Sequence, residues 1–406
     1  MVNCGKAQIW HLLLIICFSQ SGNPIYAQDK RADYSSGIKN MYLNANFGII
    51  NYRYTEDLLP DGVTTESITG KTTFGGRFAV GYHLSKSWDA QLSVMRPAAW
   101  ASYNNLSIEG SDKSVWTNIW ALSAKKNFQH TEQFKLYLET GISNVARHGF
   151  KIADQDIIEN AQYLYPIFGS GLNYRLSNKW EATLNITYSP PREKVQQPAT
   201  TFFAGGITYN LKEPDDAVVK KNSESIFYFP KHLLQIGITS DFAGYDINRQ
   251  FSGGLKTSIP IFWFGDVFVQ KGLFINYQRN IFHTYKNFSL DWGASFGYYQ
   301  TKNEESFYTL SLFPTVRYWF LRTKPIDVYF NYSLIGPAYI SKSRLDGLDI
   351  GEEATFQDFM GIGFLFGNKR LYNIDLKIAH YSNGNIFNDN PGVAIPLTIC
   401  FGMALY

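Results

Sequence analysis

Residues 286–299 read KNFSLDWGASFGYY. Phe288, Leu290, Trp292, Ala294, Phe296 and Tyr298 alternate with Ser289, Asp291, Gly293, Ser295 and Gly297. Successive side chains of a strand point to opposite faces, so this period-2 pattern predicts a strand with one apolar face and one small or polar face. Residues 179–188 repeat the pattern, with Trp180, Ala182, Leu184, Ile186 and Tyr188 set against Lys179, Glu181, Thr183, Asn185 and Thr187. Residues 325–335 do so again, with Ile326, Val328, Phe330, Tyr332 and Leu334 on one side and Asp327, Tyr329, Asn331 and Ser333 on the other. In a soluble sandwich such apolar faces pack on one another. In a membrane barrel they meet lipid, and the small or polar residues line the interior.

Working outward from these strands, approximate segments 41–52, 71–84, 87–98, 115–128, 134–147, 162–176, 179–189 and 200–211 are joined by connections that alternate long and short. A second set follows at 232–242, 259–282, 286–299, 305–321, 325–337, 356–367, 370–382 and 396–406. Short turns on one side and long loops on the other are the signature of an outer-membrane barrel, and a sandwich has no physical reason for that asymmetry. Eight strands suffice to close a barrel filled by side chains. The expected fold is therefore all-β: transmembrane antiparallel up-and-down β-barrels, two eight-stranded ones in tandem, with one 16-stranded barrel as the alternative. The expected organisation is a signal peptide over 1–28, a first barrel over 29–211, a polar, solvated linker over 212–230, and a second barrel over 231–406.

Composition agrees with a chain that meets lipid through strands. Of 406 residues, 17% are charged, against about 25% in soluble domains. Aromatic residues make up another 17%, hydrophobic residues 45%, and the chain contains 33 Gly. That apolar content excludes disorder. No apolar run reaches the ~18 residues of a membrane-spanning helix. A net charge of +3 excludes a strongly basic nucleic-acid footprint. Lys6, the run Ile9–Phe18 and the sequence Ile25-Tyr26-Ala27 read as a cleaved secretory signal. Bulky Ile16 before Cys17 argues against lipidation. Removal of Cys4 and Cys17 leaves Cys400 alone, so no internal disulfide and no cysteine-based zinc site is expected.

Catalytic motifs are scarce. There is no phosphate-binding glycine loop, no His-Glu-x-x-His and no Gly-x-Ser-x-Gly. The acidic run Asp346–Glu353 lacks EF-hand spacing and reads as a solvated outer loop. His83, His130 and His148 lie at strand ends or turns without a serine partner, which suits structural or interfacial roles. The exception is Ala379-His380-Tyr381-Ser382-Asn383-Gly384-Asn385, followed by Asn390-Pro391-Gly392. On that strand Tyr372, Ile374, Leu376, Ile378, His380 and Ser382 share the apolar face, so His380 and Ser382 are expected to point out of the barrel near the outer leaflet. An imidazole two residues from a serine on one strand face can take its proton and activate it as a nucleophile. The opposing interpretation is an interfacial polar pair at a membrane edge.

The string His380-Tyr381-Ser382-Asn383 with Asn390-x-Gly392, on the penultimate strand of a terminal barrel, resembles the lipid A 3-O-deacylase (PagL) family over roughly 230–406. The strand Phe356–Gly367 leading into the motif strand shares in the resemblance. It implies an eight-stranded outer-membrane barrel with an exterior Ser-His-acid site that hydrolyses the 3-O-acyl ester of lipid A. Ser382 would be the nucleophile, His380 the general base, and Asn383 and Asn390 would lie near the oxyanion site. The family's acid falls at Ala394, which cannot orient an imidazole, so Asp389, Glu352 or Glu353 is expected to substitute. The first set of strands resembles OmpA-like barrels only in general pattern. The resulting expectation is an esterase of the bacterial outer membrane acting on lipid A or a related glycolipid, without cofactor, metal or nucleic acid. The rivals are a structural or binding barrel with a decayed site, and a passive pore.

Overall fold

The computed structural model describes residues 38–406 apart from 109, 130, 153–154, 213, 253–263 and 388. The expected signal peptide with Cys4 and Cys17, His130, and the segment 259–263 lie outside the described residues.

Sixteen long strands form two closed antiparallel barrels of eight strands each. The first barrel comprises β1 (Met41–Tyr52), β2 (Thr72–His83), β3 (Trp88–Pro97), β4 (Lys113–Gln129), β5 (Phe134–His148), β6 (Ala161–Arg175), β7 (Trp180–Ser189) and β8 (Thr200–Asn210). The second comprises β9 (His232–Ser240), β10 (Val267–His283), β11 (Phe288–Thr301), β12 (Ser306–Arg322), β13 (Ile326–Ile340), β14 (Ala354–Phe366), β15 (Tyr372–Ser382) and β16 (Val393–Leu405). Each barrel closes on itself. β1 pairs with β8, from Tyr42 opposite Asn210 to Tyr52 opposite Thr200. β9 pairs with β16, from His232 opposite Leu405 to Thr239 opposite Thr398. These two closures overturn the 16-stranded alternative, and with it the wide pore. Closure leaves no unpaired strand edge, the condition for a sheet to stand in hydrocarbon.

The period-2 pattern partitions as expected. In β11, Ser289, Asp291 and Ser295 are buried in the lumen, while Trp292, Phe296 and Tyr298 are exposed outward. In β7, Trp180, Leu184, Ile186 and Tyr188 face out. Large hydrophobic residues exposed on both barrels, from Leu43 and Phe47 to Phe401 and Met403, form outward surfaces that suit acyl chains and not water. The lumens are filled by polar side chains, many of them paired with one another. In the first, Arg77 pairs with Glu139, which also accepts from Ser123 at 2.7 Å and Gln91 at 2.8 Å. In the second, Arg317 pairs with Asp291 at 3.1 Å, and Lys377 donates to Gln235 at 2.9 Å.

Local departures from the expected boundaries have physical causes. The polar connection between the barrels is not wholly irregular, because Asp216–Ser223 is helical and Asn222 within it is 4% exposed. β16 begins at Val393, earlier than its sequence pattern suggests. The start of β10 runs parallel to it there, pairing Val267 with Val393 and Phe268 with Ala394. That extra pairing gives Val393 and Ala394 partners on both sides. A short helix, Asp246–Ser252, braces the same corner, with Asn248 donating to the Ile395 carbonyl at 2.9 Å. Nearby Tyr245 donates its hydroxyl to the Val269 carbonyl. Burial, helped by the Asp241 charge, pushes that phenol above its ordinary range, so it stays a donor.

Candidate active site

β15 runs from a short turn toward the end that carries the long loops. Its odd-numbered side chains enter the lumen. Asn373 donates to the Tyr329 hydroxyl at 2.9 Å, Asp375 accepts from Gln235 at 2.6 Å, and the Tyr381 hydroxyl lies 2.9 Å from Thr309 and accepts from Gln357 at 3.0 Å. His380 and Ser382 therefore belong to the outward face. Outward here does not mean lipid-exposed, which corrects the expectation. His380 is 2% exposed and Ile378 below it 4%, while Ser382 is half-buried. Ile378 packs with Met360 against Phe330 and Tyr332, an apolar floor one outward step below the histidine.

The carboxylate on His380 is Asp358. Nδ1 of His380 lies 2.8 Å from Oδ1 of Asp358, and both residues are buried. β14 and β15 pair antiparallel with Asp358 directly opposite His380 and Phe356 directly opposite Ser382. Directly opposed residues have Cβ atoms only about 4.5–5.5 Å apart, so the register itself delivers the contact. The acids expected from the sequence are elsewhere. Asp389 is half-exposed with Oδ1 3.9 Å from Nδ1 of His148, and Glu352 and Glu353 are exposed in the preceding long loop. Sequence reasoning missed Asp358, although its signal was present. Phe356, Met360, Ile362 and Phe364 mark the outward row of β14, and Asp358 is the one charge in that row. A carboxylate on a lipid-facing row is costly unless it has a function or a partner.

Ala394 flanks His380 on the other side, since β15 and β16 pair these two residues. The histidine thus sits between two strands, with its acid on β14 and not on β16. Ala394 is fully buried where the chain entering β10 lies along β16, with Asp266 and Val267 donating backbone hydrogen bonds to the carbonyls of Pro391 and Gly392 at 2.8 and 3.1 Å.

The loop after β15 is tied by the asparagines of the motif. The Asn383 amide donates to the carbonyls of Ile350 at 3.1 Å and Asp389 at 2.6 Å, and its backbone N–H donates to Oδ1 of Asn390 at 2.9 Å. Asn390 in turn donates to Asn385 at 2.5 Å. The Asn383 amide thus donates to two loop carbonyls, one in the loop before β14 and one in the loop after β15. Asn390 retains one amide hydrogen. Gly392 has φ +71°, and a Cβ there would stand 2.6 Å from Nε2 of His380. Only glycine permits both this left-handed backbone and the close approach. The Ser382 hydroxyl has no hydrogen-bond partner among the described residues.

The loop also meets the first barrel. Trp120 of β4 stacks on Phe356 with ring centroids 5.5 Å apart and planes 11° apart, and its Nε1 donates to the Gly384 carbonyl at 3.1 Å. Asn144 of β5 donates to the Ile386 carbonyl at 2.8 Å. His148 stacks on Trp116 at 5.4 Å and faces Asp389, whereas His83 joins Asp89 and Asn210 at 2.7 and 2.9 Å.

Comparison with known proteins places this geometry in context. No curated protein matches the chain. Among solved structures, the outer membrane enzyme PagL is similar at 16% identity, covering 43% of this chain and 99% of its own, with a TM-score of 0.29. Neisserial surface protein A is similar at 12% identity, covering 42% and 96%, with a TM-score of 0.28. The N-terminal barrel domain of Pseudomonas aeruginosa OprF is similar at 16% identity, covering 42% and 97%, with a TM-score of 0.27. Residues 270–395, the stretch that holds Asp358, His380 and Ser382, match the model of the family described as lipid A 3-O-deacylase (PagL).

Proposed function

We propose that the second barrel is a serine esterase of the bacterial outer membrane that removes an ester-linked acyl chain, the 3-O-acyl, from lipid A, and that the chain reaches that membrane through a cleaved N-terminal signal. The observation that carries this reading is the buried Asp358–His380 pair at 2.8 Å on the outward face, one residue pair from Ser382. An imidazole whose Nδ1–H is held by a carboxylate presents Nε2 as the base.

In the reaction, Ser382 Oγ attacks the ester carbonyl while its proton passes to Nε2 of His380. Asp358 stabilises the imidazolium, and a donor such as the remaining Asn390 hydrogen stabilises the tetrahedral oxyanion. The intermediate collapses to an acyl-serine as His380 protonates the departing sugar oxygen. A water molecule, deprotonated by His380, then releases the fatty acid and restores the serine. The serine–imidazole hydrogen bond closes with substrate in place, as catalytic hydrogen bonds often tighten only in the Michaelis complex. No cofactor or metal enters these steps. The rival view of a decayed site drew its force from Ala394, and Asp358 supplies the carboxylate that Ala394 lacks.

Mass spectrometry of lipid A from cells expressing the wild type or Ser382→Ala tests the reading. Loss of one 3-hydroxyacyl chain with the wild type alone supports it. Identical spectra with both proteins correctly inserted overturn it.

A further inference from the structure

We infer that the first barrel carries a binding site for a phosphate-bearing lipid headgroup, on its outward patch around Arg96, Asn118 and Trp116 beside the seam with the second barrel. This rests on reading the substrate as a glycolipid of the outer leaflet, and it gives the first barrel a part in the reaction that its own residues do not otherwise suggest.

The patch follows from strand geometry. Trp116, Asn118 and Trp120 alternate on the outward face of β4 and lie opposite His148, Ala146 and Asn144 of β5. On the other flank, β3 pairs Met95 with Ile119, and continuing that antiparallel register sets Arg96 opposite Asn118. Trp100 links the two rows, with its ring 6.0 Å from Trp116 and 5.3 Å from the guanidinium carbon of Arg96.

Two polar groups in this patch lack partners. Asn118 is 1% exposed, yet neither its Nδ2 nor its Oδ1 has a hydrogen bond. Arg96 has a buried, unpartnered Nε and no ion pair among the described residues. A buried amide donor and an outward cation are costly when unsatisfied, and an anion accepts from both the Asn118 Nδ2 and the Arg96 guanidinium. The planar guanidinium fork matches phosphate oxygens in two-point contact, and the tryptophans beside it suit a headgroup at the membrane interface.

The site also lies where a substrate needs it. Trp120, next to Asn118 on the outward face, stacks on Phe356, the cross-strand partner of Ser382. A lipid held at Arg96 by its phosphate would direct its ester-linked chains toward the contact of Trp120 with Phe356, the residue opposite Ser382. Arg96 is a binding residue and takes no part in bond making.

The experiment uses the full chain with Ser382→Ala, so binding is read without hydrolysis. Tryptophan fluorescence titrations compare bis-phosphorylated lipid A, the same lipid with its phosphates removed, and inorganic phosphate. Arg96→Gln should weaken binding of the phosphorylated lipid by about tenfold, the scale of one charge-assisted contact, and leave the dephosphorylated lipid unaffected. Arg96→Lys should recover part of the loss, which a folding defect would not allow. Equal affinities for the two lipids, or no effect of Arg96→Gln, overturn the proposal. Weakening by inorganic phosphate alone, with no gain from the lipid, makes this an anion site and overturns the headgroup assignment. On the otherwise wild-type chain, Arg96→Gln should raise KM and leave kcat unchanged. Arg96-dependent binding with unaltered lipid A mass would leave the docking site standing and remove the esterase. Hydrolysis with KM indifferent to Arg96 would do the reverse.

Discussion

Inside, the two barrels are built alike. Arg77 meets Glu139 in the first, and Arg317 meets Asp291 in the second, both pairs buried, the first among hydroxyl and amide partners and the second with the amides of Asn280 and Gln278. Their outward faces differ near the long-loop end. The first presents tryptophans with Asn118 and with His148, whose Nδ1 lies 3.9 Å from the half-exposed Asp389 carboxylate of the loop after β15. The second presents Asp358 against His380 across a strand register, with Ser382 two residues on. The difference teaches that a luminal ion pair serves closure, whereas the same chemistry turned outward becomes available to a substrate. On the proposed reading, catalysis belongs to one strand pair and not to the barrel as such.

Removing the acid should break this contrast most sharply. Asp358→Asn is expected to lower kcat by about 10³–10⁴-fold, the cost of losing the carboxylate that fixes an imidazole. Heat-modified gel mobility of the same variant should stay that of a folded barrel, and unaltered turnover would remove Asp358 from the site. The luminal counterpart should behave oppositely. Glu139→Ala strands Arg77 in the first barrel and should cost about 3–5 kcal/mol of stability in denaturant titrations, while kcat per folded molecule stays constant.

A smaller effect is expected at Gly392. An alanine there meets both the left-handed backbone and Nε2 of His380, so about 1–2 kcal/mol of strain should appear as lower stability and slower turnover, read by paired unfolding and rate measurements. The smallest changes should come from Asp389→Ala, Glu352→Ala and Glu353→Ala, each within about twofold of wild type, because exposed carboxylates and surface ion pairs contribute only about 0–1 kcal/mol. A large loss in any of the three would return the acid to the loops.

Much of this was legible in the chain. Alternation at 286–299 and its repeats determined strands with one lipid-facing side, and the long-short rhythm of connections determined outer-membrane barrels. His380 and Ser382 stood out because a polar pair ended an otherwise apolar row, with Asn390-x-Gly392 following the motif strand. These are local properties, set by period, turn length and backbone freedom. Asp358 was half legible. Its place in the outward row of β14 could be counted, but its partner could not, because the pairing of β14 with β15 fixes it and a shift of one residue would turn it away. The count of two closures instead of one, the chain that covers Ala394, and the seat of Trp120 on Phe356 were decided only by tertiary structure. Each joins residues far apart in sequence through backbone pairing and steric fit, and no local pattern records which distant strand completes a ring or fills a neighbour's space.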